Sequence, residues 1–295
     1  MGLSKANIYS FHKPFIISIY LRLFKNNFIL MEYPHTSINP DAKIGANVKI
    51  DPFTTIHDNV VIGDGTWIGS SVTIMPGARI GKNCNIFPGA VISAIPQDLK
   101  YIGEDTTAEI GDNTTIREFV TVNRGTAALG KTVVGSNCLL MAYVHIAHDC
   151  IVGNNCILAN NVTLAGHVIV EDFAILEGLV AVQQFIRIGA HAFIAGSSLV
   201  RKNVPPFVRA ANEPLSYIGI NSVGLKRRGF SQETIEEILN IYRIIFVKGY
   251  RNSRALEIVE SEMAATPVRD EIISFIRSSE KGIMKGYSED ENKPE

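Results

Sequence analysis

The sequence predicts a parallel β-helix closed by a small helical domain, and three observations carry that prediction. First, an aliphatic residue recurs at nearly every sixth position between Ile38 and Val200. The series runs unbroken from Ile38 through Ile44, Ile50 and on to Ile92. It resumes with Ile110, Ile116 and Val122, and continues from Val134 in steps of six to Val200. Second, the residue four places after each of these is small or β-branched, as in Ala42, Val48, Thr54, Thr66, Ala78, Cys84, Ala90 and Thr114. Third, beyond Asn203-Val204-Pro205-Pro206 the spacing turns helical. An α-helix repeats its apolar face every 3.6 residues and a strand every two. A sustained six therefore marks hexapeptide coils, with one large and one small inward residue per flat face and three faces per coil.

Glycine often follows the frame residue (Gly45, Gly63, Gly81, Gly111, Gly135, Gly153), a placement expected to serve backbone turning at the corners. Cys84, Cys138, Cys150 and Cys156 all fall in the small inward slot, so they are expected to fill the core, not to bind metal or pair as disulfides. The frame breaks only at Asp98, Glu104 and Ala128. Acidic side chains cannot stay in an apolar column without partners, so the chain must leave the coil near Pro96–Thr107 and again near Asn123–Thr132. Loops on a rigid scaffold are where chemistry is usually placed.

Three domains are expected: a leader over 1–33, the β-helix over 34–204 and the helical part over 205–295. The apolar run Phe15–Leu21 is too short to span a bilayer and is interrupted by Arg22 and Lys25. The leader is read as disordered or non-native, with Met31 as the functional start; an interfacial amphipathic segment is the alternative. In the cap, Ser231 is a candidate N-cap for a helix carrying Ile235, Ile238, Leu239 and Tyr242, which Gly249 closes. A second helix is expected from about Ser253 to Met263. Thr266-Pro267 begins a third, with Ile272 and Ile276 inward. A net charge of −1 across 295 residues argues against nucleic acid as the main partner.

The frame also ranks the histidines. His148, in HIAHDC, lies two residues past Ile146, at a corner and facing outward. One coil further is Gly166, in LAGHV, and another coil further is Gln184. These three should stack. An imidazole beside an unobstructed glycine N–H suits acyl transfer, pairing a base for a hydroxyl with a donor for the oxyanion. A lone outward histidine is ordinarily a surface residue, but His145, His148 and His167 cluster beside Asp149.

HIAHDC, LAGHV, QDLKYIGE, IREFVTVNRGT and GLKRRGFS together resemble the UDP-N-acetylglucosamine acyltransferases over about residues 35–284. The resemblance implies a left-handed parallel β-helix with a C-terminal helical cap, a homotrimer with sites between neighbouring prisms, and a cytoplasmic location. It also implies transfer of an (R)-3-hydroxyacyl chain from acyl carrier protein to the sugar 3-hydroxyl, the first step of lipid A synthesis, without cofactor or metal. His148 matches the general base, Asp149 the residue that orients or polarises it, and Gly166 the oxyanion donor. Asp98 and Lys100 match positions near the reacting acyl group. His145, His167, Gln183 and Gln184 match the sugar-nucleotide site. Asn221, Arg227 and Arg228 match a cap segment reaching the nucleotide, where a guanidinium suits phosphate. Gly196 matches the position that sets acyl length, and glycine there implies a chain of about 14 carbons or more unless Phe193 intrudes. Two departures stand out: Gln183 replaces a frequent histidine and Val223 a frequent acidic residue. A related N-acyltransferase, a zinc-binding trimeric β-helix and a non-enzymatic scaffold are the competing readings.

Overall fold

The computed structural model describes residues 33–286; the leader, apart from Tyr33, and the last nine residues fall outside it. The expectations for the leader therefore lie outside the described residues.

Among the described residues, parallel strands of two to four residues, most ending on the frame residue, build three faces of nine, eight and eight strands, and strands after Val204 extend the third sheet to eleven. The first face runs from Ser37–Ile38 to Leu199–Val200, the second from Lys43–Ile44 to Arg187–Ile188, and the third from Lys49–Ile50 through Phe193–Ile194. Successive strands of a face are 18 residues apart, as in the pairings His145 to Thr163 and Thr163 to Ala181. This is the left-handed parallel β-helix. The frame column is sealed: Ile68, Ile74, Ile86, Ile92, Ile116, Leu140 and Ile146 have no exposed surface. The small slots are buried as well, including all four cysteines, which are free thiols. Burial of each such aliphatic side chain contributes roughly 1.5–3 kcal/mol, so the stacked column dominates stability.

The corner glycines do a different job from the one expected. None of Gly45, Gly63, Gly81, Gly111, Gly135 and Gly153 has positive φ. Turning is instead done two residues later by Asn47, Gly65, Asn83, Asn113, Asn137 and Asn155, all left-handed, a conformation that glycine and asparagine tolerate. The glycines let neighbouring coils touch. A Cβ on Gly63 would meet the Gly81 carbonyl at 2.6 Å, and one on Gly111 the Gly135 carbon at 2.6 Å.

Both predicted excursions are present, and both leave the corner between the first and second faces. One joins strand Val91–Ala94 to Thr107–Ile110; the other joins Thr121–Asn123 to Lys131–Val134. Ile92 pairs with Val122 and Val122 with Ile146, separations of 30 and 24 residues where an uninterrupted coil takes 18. The insertions are whole multiples of six, which explains why the frame keeps its phase across them.

The hexapeptide spacing ends near Val200, but the third face continues past the boundary expected at 204. Val208–Ala211 adds in parallel, Ser216–Ile220 returns antiparallel to it, and Lys285–Gly286 closes the edge. Among the described residues, four helices follow Ile220: α1 (Ser222–Arg227), α2 (Gln232–Tyr242), α3 (Asn252–Glu262) and α4 (Pro267–Arg277), with a π-helical turn Arg243–Val247 after α2. The caps are those expected: Ser231 accepts from Thr234 N, and Thr266 from Arg269 N with Pro267 in the first turn. Asn221 caps the short helix α1. The cap is tied to the prism by Tyr242, whose buried hydroxyl donates to the Pro206 carbonyl at 2.6 Å, and by Arg187, which lies over the Phe275 ring at 4.5 Å. Among the described residues, no helix is long and apolar enough to cross a membrane.

Candidate active site

The corner that emits both excursions also carries, in the coils above them, Ala147-His148-Asp149, Ala165-Gly166-His167 and Gln183-Gln184-Phe185. The predicted stacking of His148, Gly166 and Gln184 holds, because the flanking strands are in register. His148 lies so close to Gly166 that a Cβ there would meet the imidazole Cε1 and Nε2 at 2.6 and 2.7 Å. Only glycine lets the ring rest in this place. Among the described residues, no hydrogen bond uses the Gly166 N–H.

His148 was expected to face outward; it does leave the prism, but it is only 6% exposed because the excursions fold over it. Its Nδ1 is 2.8 Å from Asp149 Oδ2. Asp149 is fully buried in a left-handed backbone conformation, with φ 59°, which turns its carboxylate back beneath the imidazole. Thr126 N and Leu129 N donate to Oδ1 at 3.0 and 3.2 Å, and Thr126 Oγ1 donates to Oδ2 at 2.7 Å. Burial pushes the Asp149 carboxyl up, yet the hydrogen bonds from Thr126, His148 and Leu129 outweigh it and hold the group below its ordinary range. The carboxylate is therefore an acceptor only. That assigns the proton of neutral His148 to Nδ1 and leaves the Nε2 lone pair free. Nε2 faces Asp98 Oδ2 at 3.8 Å.

His167 stands edge-on to His148 with centroids 5.2 Å apart, and Phe185 stacks on His167 at 4.6 Å. His145, on the adjoining strand, shares a hydrogen bond with Thr121 Oγ1 at 2.7 Å. Burial and the neighbouring His148 lower its basicity. His148, Asp149 and His167 lie close enough to hold a metal ion together. The donor set does not fit one, since four hydrogen bonds already occupy both Asp149 oxygens.

The remaining predicted residues lie elsewhere on the chain. Lys100 is exposed on the first excursion, where its backbone N–H donates to Asp98 Oδ1 at 2.9 Å. Gln183 and Gln184 are exposed one coil above His167. Asn221 is buried near the corner between the second and third faces, accepting from Gly224 N and donating to the His191 carbonyl at 3.0 Å. Arg228 donates to the Phe173 carbonyl and lies 5.3 Å from that ring's centre, while Arg227 is exposed. Gly196 sits at the third corner, where a Cβ would meet the Gly178 carbonyl at 3.1 Å; Phe193, beside it, stacks under Arg209. The three predicted groups thus occupy three different corners of one prism. Sequence reasoning missed Phe185, one coil above, as the ring stacked on His167, and Thr126 and Leu129 as partners of Asp149. The RGT string within an excursion was the available signal.

His191, at the second corner, predicts a pH effect on stability. Burial and the Arg228 guanidinium lower its pKa to about 4, against the opposing pull of Asp172. A depressed pKa means the folded state binds fewer protons. The stabilisation is complete above about 6.5 and is lost as pH falls toward about 4. The whole shift corresponds to about 3 kcal/mol, and partial exposure of the ring reduces the expected loss to ~1–2 kcal/mol. Denaturant titrations of the wild type and H191Q should diverge over this window; parallel curves would remove the assignment.

Residues 203–284 match a domain family described as UDP-N-acetylglucosamine O-acyltransferase, domain 2, and residues 59–94 and 131–166 match bacterial transferase hexapeptide repeats. A Myxococcus xanthus protein named acyl-(acyl carrier protein)–UDP-N-acetylglucosamine O-acyltransferase is 45% identical over 195 residues, 66% of this chain and 76% of that protein. The chain belongs to the UDP-N-acetylglucosamine O-acyltransferase family. A Paracidovorax citrulli protein of the same name is 49% identical over 199 residues, with the same coverage. The crystal structure of a UDP-N-acetylglucosamine acyltransferase from Bacteroides fragilis superposes with a TM-score of 0.84 at 53% identity, covering 85% of this chain and 99% of that one. A Francisella novicida enzyme of the family superposes at 0.83 with 42% identity, covering 85% of this chain and 93% of that one. The chain is an acyltransferase.

Proposed function

We propose that this chain moves an (R)-3-hydroxyacyl group from acyl carrier protein to the 3-hydroxyl of UDP-N-acetylglucosamine, the first step of lipid A biosynthesis. The observation that carries the mechanism is the buried Asp149–His148 pair with Nε2 left free beside Gly166. Nε2 removes the proton of the sugar 3-hydroxyl as its oxygen attacks the thioester carbon. The carbonyl oxygen becomes an oxyanion that the Gly166 N–H meets. Collapse breaks the carbon–sulfur bond, and the departing thiol takes the proton back from the imidazolium. Every proton is returned, and no cofactor takes part.

Asp98, Lys100, His145, His167, Gln183 and Gln184 belong to the substrate surroundings in this reading. Asn221, Arg227 and Arg228 serve the nucleotide. One prism cannot bring its own corners together, but three prisms around a common axis can set the first corner of one against another corner of its neighbour. In this reading the enzyme is a homotrimer that works in the cytoplasm, where the carrier protein delivers its thioester.

The test is an acyl-transfer assay with UDP-N-acetylglucosamine, its 3-amino analogue and hydroxyacyl carrier-protein thioesters of graded length. Turnover of the 3-hydroxyl sugar supports the reading. Turnover of the 3-amino sugar alone would replace it with the N-acyltransferase alternative. Glycine at position 196 adds no side chain at the third corner, so the preferred donor should have about 14 carbons or more. G196M should shift the preference to shorter chains by about 10–200-fold, the ~1–3 kcal/mol that one methylene is worth in an apolar groove. Fastest wild-type turnover with a ten-carbon donor would contradict the assignment of Gly196.

A further inference from the structure

The excursion Asn123–Thr132 meets Asp149 but no step of the reaction described above. By count alone its Thr126 falls at the fourth place after Val122, the position that would be the small inward slot if the coil were not interrupted here. Threonine fills that slot in several coils, and there its hydroxyl has a constant use. Thr54 donates to the Gly69 carbonyl, Thr66 to Gly81 and Thr114 to Gly135, at 2.7–2.9 Å. In each case the hydroxyl satisfies backbone. Thr126 breaks the rule: its hydroxyl goes to the Asp149 carboxylate at 2.7 Å.

The direction of that bond is set by a second one. Ala128 N donates to Thr126 Oγ1 at 3.2 Å, so the hydroxyl hydrogen is free to point at Asp149 Oδ2. Thr126 also supplies its amide to Oδ1 at 3.0 Å, and Gly130 N donates to the Thr126 carbonyl at 2.8 Å, closing the turn. Two of the four hydrogen bonds on Asp149 thus come from one residue that is itself 8% exposed. The first excursion braces it from behind, through the Thr106–Gly125 bond at 2.6 Å.

We propose that Thr126 is a positioning residue for the acyl transfer. It holds the Asp149 carboxylate in one rotamer and shares Oδ2 with His148 Nδ1, which keeps Nε2 aimed at the substrate and moderates how strongly Asp149 favours the imidazolium. The proposal rests on His148 as the base. The physical consequence has a sign. With the hydroxyl gone, Oδ2 becomes a stronger acceptor for Nδ1–H, and the protonated ring is favoured. The other groups facing His148 are Asp98 from the first excursion, His167 from the next coil and His145 on its own strand, and substitution at Thr126 alters none of them.

The experiment compares T126V and T126S with the wild type in steady-state acyl transfer across pH, on protein checked for assembly by light scattering. T126V should lose about tenfold or more in kcat, the scale of a hydrogen bond to a charged group. Its KM for the sugar nucleotide should stay within about twofold, and the acidic limb of its kcat/KM profile should move to higher pH by about half a unit. T126S restores the hydroxyl and should return kcat to within about threefold of the wild type. If T126V does not assemble, T126A, smaller in every direction, carries the same expectations. Unchanged kcat and an unmoved limb in the valine or alanine variant would overturn the proposal, as would T126S falling as low as T126V. H148A separates the two levels: inactive H148A beside an unaffected T126V defeats the role of Thr126 alone, whereas active H148A defeats the base assignment beneath it.

Discussion

H148A should lose about 10²–10⁴-fold in kcat while the protein still assembles and binds the sugar nucleotide. The imidazole is the group whose free Nε2 stands beside an uncommitted backbone N–H. Removing it leaves the Gly166 donor in place but takes away the acceptor for the hydroxyl proton. Attack would then need a neutral sugar hydroxyl as nucleophile or water as base. Three donors from the Asn123–Thr132 excursion remain on Asp149, so the buried carboxylate is not stranded. Thermal unfolding should accordingly change little. Single-turnover measurements with saturating sugar nucleotide separate chemistry from binding. An assembled H148A retaining more than about a tenth of the wild-type rate would rule out the mechanism proposed here.

D149N should be as damaging, for a different reason. Asp149 receives four donors and gives none through its side chain. An amide placed there must turn its NH₂ toward Thr126 and Leu129 or toward His148 and the Thr126 hydroxyl, so donor meets donor in either orientation. If His148 answers by moving its proton to Nε2, the base is lost. A carboxylate-to-amide change that reverses a catalytic tautomer costs about 10⁴-fold in the well-known serine protease case, and a loss of 10³-fold or more in kcat is expected here. Stability should also fall by about 1–3 kcal/mol, because buried donors lose their acceptor. The pH dependence has a defined direction. The depressed carboxyl stabilises the fold above the ordinary aspartate range, and that contribution disappears as pH drops through the lowered folded value. D149N should lack this acid-dependent component. Full activity in D149N would show that Asp149 does not set the tautomer of His148.

Much of this could be read without coordinates because the repeat acts as a ruler. Counting in sixes placed the buried column, sent Cys84, Cys138, Cys150 and Cys156 to the core, located both excursions and stacked His148 on Gly166. In a coil of constant length, sequence separation translates directly into position, so local pattern and tertiary neighbour are the same information. Asparagine and glycine at the corners illustrate the limit of that ruler. The sequence shows glycines after frame residues, but whether a glycine turns the chain or admits a neighbouring backbone depends on φ and on the next coil, and here it is the second.

By itself, then, the sequence determined the β-helix, its phase, the helical cap and the corner that carries the histidines, since each follows from periodicity. Only the tertiary structure decided what lies over that corner. The excursions have no repeat to count, so nothing in the order of residues said that Thr126 and Leu129 would close on Asp149, or that His148 would be covered where an outward corner residue was expected. Those contacts depend on how two irregular loops fold back on a regular wall. The pairing of His148 with a carboxylate held anionic by them is a property of that folded arrangement.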